Sequence, residues 1–252
     1  KVDNTDQFYR ALEAGFGYFQ GSFFTKPVIS DSHDLAGNEL AYARLLCEVN
    51  RPELSLEDLA DIIRGDPLMT YHLLKFINSA WFGVRCVVNS VQHALVLIGP
   101  KETRRWASML VIRKLGQDKP TELLLRSLIR AKVAEAIAPL ANMRQHTPEL
   151  FLLGLFSSID AILNRPLDEL LKNLPIDERV TAALLGQSGP FRNVLDLILC
   201  YEEGDWDSLA CCAQRLSLDE QALPAQFKQA ITWANKTLGL LEETEAQKAQ
   251  TA

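Results

Sequence analysis

No stretch of this chain approaches the roughly 18 consecutive apolar residues that a membrane-spanning helix needs, so the sequence predicts no membrane span. Lys1-Val-Asp-Asn-Thr-Asp lacks the charged start and apolar centre of a secretory signal, and a cytoplasmic location is expected. Cysteine is scarce: Cys47, Cys86, Cys200, Cys211 and Cys212 are odd in number and contain no CxxC pair, which predicts reduced, mostly buried thiols rather than a disulfide framework or a zinc site. The four histidines form no HxxH or HExxH pattern, there is no GxSxG elbow, and no GxxxxGK[ST] loop exists to cradle a nucleotide. A formal net charge of −6 argues against general nucleic-acid binding, which depends on neutralising phosphates. No internal repeat is present, and the only polar low-complexity stretch is the tail from 241 to 252.

What the chain does have is apolar content, 48%, enough to bury a real core in 252 residues. Residues 66–110 are its most specific stretch. Asp66-Pro67 reads as a helix start, because the Asp oxygen accepts a first-turn amide and Pro costs nothing at the first helical position. The apolar run continues to Gly83. Asn89-Ser90 offers a second cap, Gly99 stops the helix that begins at Val91, and Pro100 opens a third helix running to Leu115-Gly116.

This stretch, with Asn78-Ser79-Ala80 and with Ser90-Val91-Gln92-His93-Ala94-Leu95 followed by Leu97-Ile98-Gly99, resembles the HD-related output domain, HDOD. The resemblance covers roughly residues 31–240 and weakens after Gly189. It implies an all-α, HD-superfamily-like multi-helix bundle, related to metal-dependent phosphohydrolases, in a bacterial signalling family generally regarded as non-catalytic. Two packed lobes are expected, at about 29–116 and 120–240.

The first 28 residues differ from the rest. A short helix from Thr5 to Ala14 precedes an aromatic, glycine-interrupted run, Phe16-Gly-Tyr-Phe-Gln-Gly-Ser-Phe-Phe-Thr-Lys-Pro27, which reads as a strand. Helix plus strand is one unit of a βα barrel. The run resembles the closing segment of an EAL domain, the barrel that hydrolyses cyclic di-GMP, and implies an EAL barrel fused to HDOD.

Beyond these segments the apolar spacing is helical. Leu40, Ala43, Leu46 and Cys47 mark one core helix, and Ser55 with Asp58 forms the capping box of another, with Leu59, Ile62 and Ile63 inward. Further helices are expected at 121–140 and, as one run, 150–163. Shorter ones follow at 166–173, 177–185, 191–203, 205–216 and 223–240.

An HD phosphohydrolase holds its metals with an isolated His, a His-Asp dipeptide at the end of an apolar helix and a distant Asp, and the metal acidifies a bound water. By the same resemblance, Ser157 and Ser158 occupy the dipeptide positions, with Asp160 one turn on, and the earlier histidine falls at Ile129 or Arg130. Hydroxyls are poor ligands for such metals, so the resemblance implies no metal, no cofactor and no catalytic residue. Arg130 is a candidate plug for the vacated pocket. The dipeptide His33-Asp34 sits in a polar connection and reads as a loop or cap.

Lys101, Arg104 and Arg105 share one face of the third helix. They read either as a solvated basic face or as a patch for an anion or a partner. Trp81, Phe82 and Trp106 read as core. The expected function is a non-catalytic regulatory module acting through contacts with other signalling proteins or its own upstream barrel, linked to cyclic di-GMP or two-component signalling. The alternatives are an HD-like phosphohydrolase or nucleotide-binding domain with a modified pocket, and a scaffold in a transcription complex.

Overall fold

A computed structural model describes residues 2, 5–21, 37–51, 53–78, 87–116, 119–172 and 174–249. The readings of Lys26-Pro27, His33-Asp34, Ser79-Ala80, Trp81, Phe82 and Cys86 lie outside the described residues. Among those described, every regular element is helical: α1 (Thr5–Glu13), α2 (Gly37–Val49), α3 (Leu56–Gly65), α4 (Pro67–Ile77), α5 (Val91–Ile98), α6 (Pro100–Leu115), α7 (Thr121–Leu140), α8 (Thr147–Phe156), α9 (Ile159–Leu163), α10 (Leu167–Lys172), α11 (Glu178–Leu184), α12 (Pro190–Glu203), α13 (Trp206–Arg215) and α14 (Leu223–Ala249).

Local chemistry sets most boundaries. Ser55 accepts the Asp58 amide at 3.1 Å and Asp58 returns the bond to the Ser55 amide at 3.0 Å, closing the capping box of α3. Asp66 accepts from the Met69 amide at 3.2 Å and starts α4. Ser90 caps α5, and Gly99, at φ 81°, both ends α5 and precedes Pro100 of α6.

Four expectations need correction. The described part of the aromatic run, residues 16–21, forms no strand: its backbone bonds are Phe16 N–H to the Ala11 carbonyl at 3.1 Å and Val2 N–H to the Gln20 carbonyl at 2.7 Å. A strand needs a ladder partner, and a single bond from Val2 is not a ladder. Helix α4 stops at Ile77 instead of continuing to Gly83, because the Asn78 amide donates to the Leu74 and Val88 carbonyls at 2.7 Å each, while its oxygen accepts the Val88 N–H at 2.8 Å. The run 150–163 is two helices, broken at Ser157-Ser158. The last helix passes Leu240 and extends to Ala249.

Helices α2 to α6 pack on one another, as do α7 to α13, and these two groups of helices are called lobes below. They are joined where α6 meets α7 and where α14 lies across α4, α6 and α7. The core is continuous across both, from Ala43 to Leu238, with Trp106 and Phe156 among its largest buried side chains. Helix α1 contributes nothing to it and leaves Tyr9, Leu12, Phe16 and Tyr18 exposed nearby. Among the cysteines described, Cys47 and Cys212 are buried and Cys200 is half-buried, but Cys211 is exposed, all as free thiols. No described helix is long and apolar enough to cross a membrane.

Candidate functional site

Arg130, Ser157 and Ser158, the positions that the resemblance singles out, come together where α7, the α8–α9 break and the end of α12 meet. Gly154 makes this possible. A Cβ there would lie 2.4 Å from the Ala131 nitrogen and 2.5 Å from the Arg130 carbonyl carbon and oxygen, so α8 approaches the α7 backbone closer than any side chain permits. One turn later the Ser157 hydroxyl donates to the Gly154 carbonyl at 2.6 Å, and Ser158 leaves helical geometry at φ −132°.

Arg130 projects into this break. Its Nη1 lies 3.2 Å from the hydroxyls of both Ser157 and Ser158. Nε and Nη2 form a two-pronged bond to Glu202 at 2.9 and 2.7 Å, and both side chains are largely buried. Arg126, one turn earlier, lies 3.8 Å from the same carboxylate. Ile129, the other position in register, instead packs partly buried against the core.

Asp160 is close by but directed elsewhere. Its carboxylate accepts the Ala161 amide at 2.8 Å, and burial pushes its pKa up against the pull of nearby amides and the Arg130 charge. The cluster therefore offers a permanent cation, two hydroxyls and two carboxylates, each already engaged. Guanidinium has no lone pair to offer a metal, so Arg130, one of the two positions where the resemblance puts a ligand, cannot coordinate one. Among the described residues, no three His, Cys, Asp or Glu side chains converge as a metal would require. His146 instead lies 3.6 Å from Glu149, beside Arg179.

The second group of candidates lies on the other side of α7, at the start of α6. Arg105 is buried and its guanidinium bonds both Glu102 and Glu135. Lys101 and Lys132 reach Glu135 at 3.2 and 3.1 Å, and Arg104 donates to the Leu54 carbonyl at 2.6 Å. Burial pushes the Glu135 carboxyl up, but Arg105, Lys132 and Lys101 together outweigh it and hold its pKa below the ordinary range. The basic residues thus do not form a solvated face, since Arg105 is internal and binds the two lobes across α6 and α7.

Sequence reasoning missed Glu202 and Glu135. Glu202 lies 72 positions from Arg130, near the end of a helix where an acidic residue looks like ordinary surface. Glu135 carried one legible signal, a charged residue in an otherwise apolar stretch of a long helix.

The comparisons agree with this architecture. YuxH of Bacillus subtilis (strain 168), described as uncharacterized, is 31% identical over 241 residues, covering 94% of this chain and 58% of its own. The cyclic di-GMP phosphodiesterase CdgJ of Vibrio cholerae serotype O1 is 30% identical over 234 residues, covering 93% of this chain and 54% of its own. The chain spans little more than half the length of these two curated relatives. A crystal structure from Marinobacter aquaeolei VT8, provisionally described as a signal transduction protein, superimposes with a TM-score of 0.59 at 16% identity, over 93% of this chain and 64% of that one, and shares its fold. Residues 40–174, just over half of the chain and containing both candidate clusters except Glu202, match the HDOD domain, so the chain belongs to the HDOD family.

Proposed function

We propose that this chain is a non-catalytic regulatory module of cytoplasmic signal transduction that acts through contacts with other signalling proteins or with an EAL-type barrel adjoining its N-terminal side. The observation that carries this reading is the Arg130 cluster. Where an HD phosphohydrolase needs His and Asp to bind and activate a metal, this chain sets a guanidinium bonded to Glu202, Ser157 and Ser158. Filling that position with a satisfied ion pair favours a packing role over chemistry.

The link to cyclic di-GMP rests on the Vibrio cholerae relative, and in this reading the phosphodiesterase activity belongs to the part of that protein which this chain does not match. The exposed apolar side chains of Tyr9, Leu12, Phe16 and Tyr18 suit a segment that packs against a barrel.

Elemental analysis of protein expressed with added manganese and iron tests the reading. Metal far below one equivalent, with no hydrolysis of a nitrophenyl phosphodiester, is the expected result. Near-stoichiometric metal that disappears in Ser157→Ala or Asp160→Asn would overturn it in favour of an HD-like phosphohydrolase. Pull-downs with the complete barrel-bearing protein would then identify which surface makes contact.

A further inference from the structure

Between the two lobes, away from the Arg130 cluster, lies a cavity of about 570 Å³, a size typical of small-molecule sites. Three helices begin at its rim: α3 at Ser55, α6 at Pro100 and α8 at Thr147. The capping box closes the first of these, whereas α6 and α8 have no side-chain cap. Glu102 and Glu149 stand in the first turns of these two helices, but no side chain accepts from their free amides.

The wall adds full charges of the same sign. Lys101, Arg104 and Arg105 line the cavity against a single carboxylate, Glu135, in a chain whose net charge is −6. Arg105 is nine-tenths buried, and although its terminal nitrogens are bonded to Glu102 and Glu135, its buried Nε–H has no hydrogen-bond partner. A buried donor without a partner is costly and points to a missing acceptor. Lys101 is 64% exposed, so its ammonium is free to swing from Glu135 toward a ligand. Leu54, Leu56 and Phe151 supply an apolar wall.

We propose that this cavity binds a small phosphorylated ligand, its phosphate held by Lys101, Arg104 and Arg105 at the open ends of α6 and α8 and its apolar portion against Leu54, Leu56 and Phe151. With Lys132 and Glu102, which pair into the same cluster, four cations stand against two carboxylates, a surplus that matches a dianion, and guanidinium forks suit phosphate oxygens. The walls come from α3 and α6 of one lobe and α7 and α8 of the other, so the ligand touches both. It shifts their arrangement only by binding one arrangement better than another. The site is independent of whether the Arg130 cluster is catalytic.

Isothermal titration with AMP, inorganic phosphate and adenosine tests the assignment on the whole chain. At low ionic strength AMP is expected to bind, adenosine not, and added salt to weaken AMP. Lys101→Gln, which removes the exposed charge without setting a second carboxylate beside Glu135, should weaken AMP by about tenfold, equivalent to about 1.4 kcal/mol. Lys172→Gln, the same loss of charge at an exposed position on α10, should leave it unaltered. The proposal is overturned if neither AMP nor inorganic phosphate binds, if adenosine binds as well as AMP, or if Lys101→Gln and Lys172→Gln behave alike.

Discussion

At Arg130, the donors of one guanidinium meet two carboxylate oxygens and two hydroxyls. Removing one member of such a buried pair strands the other's charge, whereas removing both does not. Arg130→Met should therefore lose about 2–3 kcal/mol in urea unfolding, and adding Glu202→Leu should restore most of it. A double variant no more stable than the single one would show that the pair is not coupled. Glu135 makes a different demand, because its carboxyl titrates below the ordinary range. A carboxyl whose pKa is lowered by folding stabilises fully above its unfolded value and loses that contribution as pH falls through the folded one. Unfolding free energy should therefore decline below about pH 4.3, the ordinary glutamate value, and Glu135→Gln should flatten the profile in that window while lowering stability at neutral pH.

Pairs of elements, not single side chains, create the Arg130 cluster. The closest approach of α7 and α8 depends on Gly154, whose missing Cβ would strike backbone, which yields less readily than a side chain. Gly154→Ala should cost about 1–3 kcal/mol by overpacking and should separate Arg130 from Ser157 and Ser158. Thermal unfolding measures the first effect. Combining Gly154→Ala with Arg130→Met measures the second, because the two losses should be less than additive if the glycine is what seats the arginine. Element boundaries followed from sequence wherever their cause is local. Asp66-Pro67, Ser90, Gly99-Pro100 and the Ser55–Asp58 box act within a turn of their own position. The end of α4 was not legible, because Asn78 takes the backbone of Val88, ten positions on.

Across the whole molecule, one core runs through both lobes, and α14 spans α4, α6 and α7. Shared burial couples the lobes, so calorimetry should show a single transition with matching calorimetric and van't Hoff enthalpies. Two resolved transitions would mean that the lobes unfold separately. Deleting residues 1–21 should leave that transition nearly unchanged, since α1 adds no residue to the core. A large fall in melting temperature would show instead that α1 is integral to the bundle and would weaken its assignment to a neighbouring barrel.

The sequence by itself determined the helical class and most helix starts and stops, because periodicity and caps act over a few positions. Through the resemblance it also singled out Ser157, Ser158 and either Ile129 or Arg130 as the positions where a degenerate site would lie. Tertiary structure decided what occupies that place. Glu202 arrives from α12, Glu135 gathers Arg105, Lys101 and Lys132, and three helix starts enclose a cavity at the lobe junction. Each of these joins residues distant along the chain, and only packing fixes which charges are close enough to neutralise one another.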